Sequence, residues 1–185
     1  MTLSGPCRVI LIGMMGSGKT AVGRLLAERT GLPYHDNDDL LLHLSGRTPR
    51  QILASRGEAD LREAESRALA AAVALPPPCV IGVPAGTILE PWNRRVMSEA
   101  GVVVWLRASA QSVERRASGA PHRAWLDRPG WISAAVAERD PLYSSVADAV
   151  VDTDASGAAE VAQAVLDRIG ALEVCAGWVL VADQG

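Results

Sequence analysis

Near its N-terminus the chain reads Gly13-Met14-Met15-Gly16-Ser17-Gly18-Lys19-Thr20. Every fixed position of the pattern Gly-x-x-x-x-Gly-Lys-Ser/Thr is filled. Glycines in this pattern let the backbone curl, so that successive N–H groups converge on phosphate oxygens. Lys19 would then reach the β- and γ-phosphates of a nucleotide, and the Thr20 hydroxyl would ligate Mg²⁺. The stretch therefore predicts a site for ATP and magnesium.

The flanking segments place this loop between a strand and a helix. Residues 7–12 (CRVILI) are an apolar run rich in β-branched residues, which is typical of a strand buried on both faces. Residues 20–29 have helical spacing, with Gly31 as the stop. The positive end of that helix would point at bound phosphate. This context favours a phosphate-binding loop over a chance glycine-rich turn.

Lys19 is the only lysine in the chain, although lysine and arginine together number 18. Guanine-specific GTPases typically read the base with Asn-Lys-x-Asp, which needs a second lysine. Large motor or AAA-type ATPases need more than 185 residues. The class of phosphate-loop protein that remains is a compact nucleotide-dependent kinase.

Strand-like and helix-like segments alternate along the rest of the chain. The predicted strands are 33–36, 79–83, 102–106 and 149–152. The predicted helices are 48–55, which Thr48-Pro49 would begin, and 57–75, 90–100, 109–117, 131–139, 142–146 and 157–169. The alternation predicts a three-layer α/β/α fold around a mainly five-stranded parallel sheet. We expect one domain over residues 1–170, followed by an extension over 171–185.

Bulk composition excludes several classes of protein. No apolar run approaches the ~20 residues of a membrane span, and no secretion signal opens the chain. A net charge of −3 gives no general affinity for nucleic acid or anionic lipid. Cys7, Cys79 and Cys175 are far apart and lack CxxC spacing, which suits a reducing cytoplasm and argues against zinc.

Asp36-Asn37-Asp38 ends the predicted second strand. In a doubly wound sheet this puts both carboxylates at the carboxyl edge, beside the phosphate loop. One would hold the Mg²⁺ shell, while the other would orient or deprotonate an attacking hydroxyl. The alternative is that these acids only cap the following helix.

Arg62 and Glu65 are three residues apart on a predicted helix and so share one face. Glu65 would steady Arg62, so that its guanidinium meets a substrate carboxylate in two parallel hydrogen bonds. A solvated helix pair is the simpler alternative.

The order of these features resembles the shikimate kinases. That family runs phosphate loop, Asp-x-Asp, Gly-Glu-x-x-Phe/Leu-Arg-x-x-Glu, Gly-Gly-Gly after a strand, a lid arginine, Arg-x-Pro-Leu-Tyr and Val-Asp-Thr. The matching residues here are 13–20, Asp36 and Asp38, Gly57-Glu58 with Arg62 and Glu65, Arg123, Arg139 to Tyr143, and Val151-Asp152-Thr153. The similarity spans about residues 8–169, and the order of the motifs is more specific than any one of them.

On the nucleotide side the resemblance implies that Lys19 and Thr20 hold phosphates and Mg²⁺. Asp36 would lie in the outer shell of the metal. Arg123 would close over the transferring phosphoryl group from a mobile lid over about 118–130. Arg116, the second of a double arginine, would stack on the adenine.

On the acceptor side the resemblance implies that Asp38 binds the acceptor hydroxyl and is the candidate base. Arg62 and Arg139 would clamp the substrate carboxylate beside the Gly86 turn. Arg139 also precedes Pro141, which we expect to stop the helix rigidly and suit a fixed anion contact.

The match fails at the turn after the third strand, where Pro84-Ala85-Gly86 stands for three glycines. Proline has no N–H, and alanine adds a methyl where close approach is needed. A missing donor opposite a buried polar group costs ~1–3 kcal/mol. In the lid, Ala124-Trp125 follow Arg123, where the family usually has proline. These changes point to a shifted or weakened acceptor preference.

Four functions therefore stay open. The leading one is ATP-dependent phosphorylation of shikimate, within aromatic amino acid biosynthesis. The others are a kinase for another sugar acid or cyclitol, a non-catalytic ATP-binding module acting through the Trp178 tail, and a nucleoside monophosphate kinase. The catalytic set Lys19, Asp38 and Arg123 argues against the module. We expect a cytoplasmic monomer whose tail forms either a partner contact or a simply packed extension.

Overall fold

The computed structural model describes residues 7–117 and 130–172. Its strands are β1 Arg8–Ile12, β2 Tyr34–Asp36, β3 Cys79–Gly82, β4 Val102–Arg107 and β5 Ala149–Asp152. They form one sheet in the order β2-β3-β1-β4-β5, and every neighbouring pair is parallel. Because β1 is central, the loop that follows it lies in the middle of the carboxyl edge of the sheet.

The helices of the described ranges connect these strands. They are α1 Lys19–Thr30, α2 Asn37–Ser45, α3 Pro49–Arg56, α4 Glu58–Ala74, α5 Pro91–Ala100, α6 Ala110–Ala117, α7 Trp131–Ser144 and α8 Ala158–Gly170. A single 3₁₀ turn, Thr87–Leu89, follows the divergent Pro84-Ala85-Gly86 segment.

Helices cover both faces of the sheet. On one face α1 and α8 pack against Val9 and Leu11 of β1. On the other face α4, α5, α6 and α7 pack against Ile10 and Ile12. This arrangement explains why β1 is apolar at every position after Arg8. The predicted α/β/α layers and five-stranded parallel sheet are confirmed.

Local chain signals predicted several helix ends correctly. Gly31 ends α1 in the left-handed conformation, with φ 71°. Thr48 and Gln51 form a reciprocal capping box at the start of α3, where Pro49 takes the first helical position. The predicted helix starts and stops therefore follow from residues whose side chains or backbone pair with the free N–H groups at the first turn or the free carbonyls at the last.

One local prediction is wrong, and one helix was missed. Helix α7 does not stop before Pro141 but continues to Ser144. Pro141 is exposed, and because it has no N–H it costs the helix one hydrogen bond. Tyr143, two residues later, is only 1% exposed and anchors the last turn of the helix in the core. Helix α2, which follows directly on Asp36, was not delimited from the sequence.

Several predicted segments lie outside the described residues. They are all but the last residue of the lid, and the extension from residue 173 onward, which includes the Trp178 segment. Within the two described ranges, no helix is both long enough and apolar enough to cross a bilayer.

Candidate active site

The loop between β1 and α1 has the geometry of an anion cradle. Gly13, Gly16 and Gly18 have φ values of 141°, 75° and 96°, a region that other residues rarely adopt. A Cβ on Gly13 would overlap the backbone oxygen of Leu106 in β4. No side chain caps the first turn of α1, so its amides are directed at the loop and remain available to phosphate.

Lys19 extends back across this loop. Its Nζ donates to Gly13 O at 2.7 Å and to Met14 O at 2.9 Å. Met14 is buried beneath the loop, while Met15 is half-buried. The ammonium group is therefore held at the mouth of the cradle, within reach of any anion that the amides bind.

A cavity of about 160 Å³ adjoins the loop. It lies between the loop, Arg116 of α6, the Thr153 segment after β5 and the start of α8. Arg116 Nη1 donates to Gly16 O at 3.2 Å and to Thr153 Oγ1 at 3.0 Å, and Nη2 donates to Thr153 O. The Ser17 hydroxyl in its lining is buried without a hydrogen-bond partner. The cavity beside the phosphate loop therefore has an arginine on one side and an unpaired hydroxyl in its lining.

Asp36 lies beside the phosphate loop, as the carboxyl-edge argument predicts. Its Oδ2 accepts a hydrogen bond from Thr20 Oγ1 at 3.0 Å. Its Oδ1 accepts from the backbone N–H of Asp38 at 3.1 Å and caps α2. The two interpretations of this carboxylate, helix cap and metal-shell ligand, are therefore compatible, because each uses a different oxygen.

The oxygen set here fits magnesium. Thr20 supplies a hydroxyl and Asp36 a carboxylate, both hard ligands. Across residues 7–117 and 130–172, no group of three or more His, Cys, Asp or Glu side chains forms a metal cage. Magnesium at nucleotide sites needs no such cage, since one or two protein oxygens suffice when phosphates and waters supply the remainder.

Arg62 and Glu65 of α4 form a partly buried pair rather than a solvated one. Arg62 Nη1 donates to Glu65 Oε2 at 2.6 Å, and Nη2 donates to Glu58 Oε1 at 2.8 Å. Glu65 is only 4% exposed. Two carboxylates thus fix the plane of the guanidinium, while Arg62 Nε is buried without a partner.

Arg139 and Asp38 act electrostatically on the same buried carboxyl. Burial raises the pKa of Glu65, Arg62 and Arg139 oppose that rise, and Asp38 adds to it. Asp38 itself is exposed, on the first turn of α2. Three predicted acceptor-side residues, one from each of three helices, therefore lie around one buried acid.

Gly86 completes this group. A Cβ on Gly86 would overlap the guanidinium of Arg62, so the arginine lies directly on the turn after β3. Arg139 is 5% exposed, and its Cζ lies 5.6 Å from the ring centroid of Trp131. Such a contact stabilises a cation over the face of the indole.

Trp131, Tyr143 and Tyr34 were not predicted to be functional from the sequence. Trp131 is eight residues before Arg139, a spacing that puts both on one face only if α7 is continuous. Tyr143 OH donates to Ala85 O at 2.9 Å, which ties α7 to the divergent turn. The sequence signal that could have identified Tyr143 is its place as the last residue of the Arg-x-Pro-Leu-Tyr motif. Arg123, predicted to close over the phosphates, lies outside the described residues.

Comparison with known proteins gives a consistent family. The sequence model described as Shikimate kinase matches residues 15–170. A shikimate kinase of Symbiobacterium thermophilum is 37% identical over 166 residues, covering 87% of this chain and 95% of that protein. One of Geobacter metallireducens is 40% identical over 162 residues, covering 84% and 88%.

Solved structures agree. The shikimate kinase from Acinetobacter baumannii in complex with shikimate superposes with a TM-score of 0.83 at 29% identity, covering 90% of this chain and 94% of that one. A gluconokinase from Sinorhizobium meliloti, at 22% identity and a TM-score of 0.61, shares the fold. With its phosphate loop and paired arginines in place, the chain belongs to the shikimate kinase family, whose members are small-molecule kinases that use ATP.

Proposed function

We propose that this protein transfers the γ-phosphoryl group of ATP to a hydroxyl of shikimate. The observation that carries the proposal is the acceptor side, where Arg62 and Arg139 lie around the buried Glu65 and Arg62 also lies against Gly86. Two guanidinium groups in one protected place are suited to a carboxylate. The Acinetobacter baumannii relative, solved with shikimate, supports this choice of acid.

On the acceptor side each residue has a proposed role. Arg62, held by Glu58 and Glu65, presents a fixed fork to the substrate carboxylate. Arg139 supplies the second cation, steadied by Trp131. Asp38 binds the acceptor hydroxyl and takes its proton. Because these groups are fixed before the acid arrives, little orientational entropy is lost at the moment of reaction.

On the nucleotide side the loop amides of residues 13–18 and the Lys19 ammonium bind the phosphates. Arg116 lies against the adenine. Thr20 and Asp36 would hold Mg²⁺, which when bound neutralises charge on the β- and γ-phosphates. Arg123, in the proposed lid over 118–130, supplies a further cation to the transferring group. The proposed kinase domain covers residues 1–170.

A second acceptor is favoured by one observation. Pro84 lacks an N–H, the Ala85 side chain is buried, and the Ala85 carbonyl is taken by Tyr143. The turn thus offers fewer donors than three glycines would. A different hydroxylated acid, such as a sugar acid, is therefore the competing acceptor.

We infer a cytoplasmic monomer that binds no nucleic acid. ATP chemistry and the buried cysteines Cys7 and Cys79 support a reducing compartment. The net charge of −3 gives no electrostatic basis for binding nucleic acid.

A coupled ADP-release assay should rank the acceptors. With ATP and magnesium fixed, we expect shikimate to give the highest kcat/KM in a panel of shikimate, quinate, gluconate, cyclitols and nucleoside monophosphates. Shikimate carries the carboxylate that two arginines require, whereas cyclitols lack it. An acceptor that exceeds shikimate by roughly tenfold, worth about 1.4 kcal/mol, would contradict the proposal.

Restoring glycines at positions 84 and 85 tests the divergent turn. In the variant Pro84→Gly/Ala85→Gly we expect kcat/KM for shikimate to rise about fivefold or more, because a donor returns and a methyl leaves. The KM for ATP should stay within about twofold, since neither residue lines the cavity beside the phosphate loop. If shikimate turnover does not rise while gluconate or quinate turnover falls, the turn is adapted to that other acid.

A further inference from the structure

Tyr34 fits into a slot between α1 and β3. A Cβ on Gly23 of α1 would overlap one edge of the Tyr34 ring, and a Cβ on Gly82 of β3 would overlap its hydroxyl end. The register places Asp36 opposite Gly82, so the ring and the acid share one stretch of the sheet edge. Two glycines from different elements thus leave room for one aromatic ring, whose position is fixed.

The Tyr34 hydroxyl donates to Asp36 Oδ2 at 3.0 Å. The same oxygen accepts from Thr20 Oγ1 at 3.0 Å, and the other oxygen accepts from the Asp38 backbone at 3.1 Å. Donors from β2, α1 and α2 therefore hold both oxygens of one carboxylate. An acid with donors on both oxygens has little freedom to rotate.

Packing alone does not call for a tyrosine at this position. The ring borders the apolar cluster beneath α1 and α8, and phenylalanine would fill the same slot. The Tyr34 hydroxyl is the donor in its hydrogen bond to Asp36 Oδ2, a role that phenylalanine cannot fill. Hydrogen bonds to a charged acceptor are among the stronger ones in proteins.

We propose that Tyr34 is a positioning residue that holds Asp36 Oδ2 toward the Thr20 hydroxyl, and thereby sets the affinity of the nucleotide-bound protein for a divalent cation. The inference rests on the proposed function, in which Thr20 and Asp36 hold magnesium. Tyr34 contacts neither nucleotide nor acceptor and acts only through Asp36. Outer groups that orient a metal ligand typically alter metal affinity by 10- to 100-fold.

The test is Tyr34→Phe, with Mn²⁺ as the spectroscopic probe. Free Mn²⁺ is titrated by electron paramagnetic resonance against the protein saturated with ADP. We expect Mn²⁺ to bind about 10-fold more weakly to the variant. ADP affinity measured in EDTA, thermal stability and the KM for shikimate should stay close to those of the parent, because the ring still fills the slot.

Three further variants sharpen the result. Tyr143→Phe removes another buried tyrosine hydroxyl, on the acceptor side, and should leave Mn²⁺ binding unchanged. Gly23→Ala keeps the Tyr34 hydroxyl but displaces its ring, so it should weaken Mn²⁺ binding like Tyr34→Phe. Asp36→Asn removes the charge and should weaken binding further.

The outcomes separate the two levels of the argument. If Asp36→Asn weakens Mn²⁺ binding while Tyr34→Phe stays within about twofold of the parent, the positioning role is wrong and the proposed function stands. If Asp36→Asn also leaves Mn²⁺ binding unchanged, the metal role of Asp36 and the inference fail together. Equal weakening by Tyr34→Phe and Tyr143→Phe would show a general stability effect and overturn the inference.

Discussion

Replacing Lys19 with alanine is expected to lower kcat by about 10³-fold while the protein still folds. The Lys19 ammonium would stabilise the negative charge on the β- and γ-phosphates during transfer. No other lysine exists in the chain to replace it. The variant loses two hydrogen bonds, to Gly13 O and Met14 O, at about 1 kcal/mol each. Single-turnover kinetics and thermal unfolding measure the two effects separately.

Lys19→Arg is the matched control for charge. Arginine keeps the positive charge but replaces a compact ammonium with a planar fork that is too wide for the space between two loop carbonyls. We expect its kcat to stay within about tenfold of that of Lys19→Ala. Near-parent activity in Lys19→Arg would show that charge alone is sufficient. Unfolding of Lys19→Ala would instead show that the lysine is mainly a structural clamp for the loop.

The layout of the sheet could be predicted because its signals are local. Buried parallel strands are continuous apolar runs, and each run here ends at a glycine, proline, arginine or acid. The proximity of Asp36 to Thr20 could also be predicted, since carboxyl ends of parallel strands meet at one edge. These two facts are enough to place the phosphate loop and the first acid.

The acceptor side could not be assembled from spacing alone. Arg62 and Arg139 lie on α4 and α7, far apart in sequence, and only their packing around Glu65 brings them together. The proline rule also failed at Pro141, because the burial of Tyr143 outweighs the loss of one helical hydrogen bond. The contact of the Tyr34 ring with Gly23 and Gly82 also depends on tertiary packing. No periodicity or motif in the sequence predicts it.

Gly86→Ala is expected to raise the KM for shikimate about 30- to 100-fold and to leave the KM for ATP within about twofold. Gly86 has φ −83° and ψ −20°, so alanine fits its backbone without strain. The new Cβ would overlap the Arg62 guanidinium, which is the end of a flexible side chain and would move away. The protein should still fold, but its stability should fall because the buried Glu65 loses its ion-pair partner, and the carboxylate site loses its fixed guanidinium. Initial rates over both substrates measure this effect.

A double-mutant cycle tests whether Arg62 carries that loss. Arg62→Ala alone should weaken acceptor binding and spare ATP. Adding Gly86→Ala to it should cost less than about threefold more, because no guanidinium remains to be displaced. Gly170→Ala is the matched control, since a Cβ there meets nothing within 4 Å, and it should change neither KM. Additive losses from Gly86→Ala and Arg62→Ala would mean that the turn binds the acceptor through its own backbone and that Arg62 is not what the glycine protects.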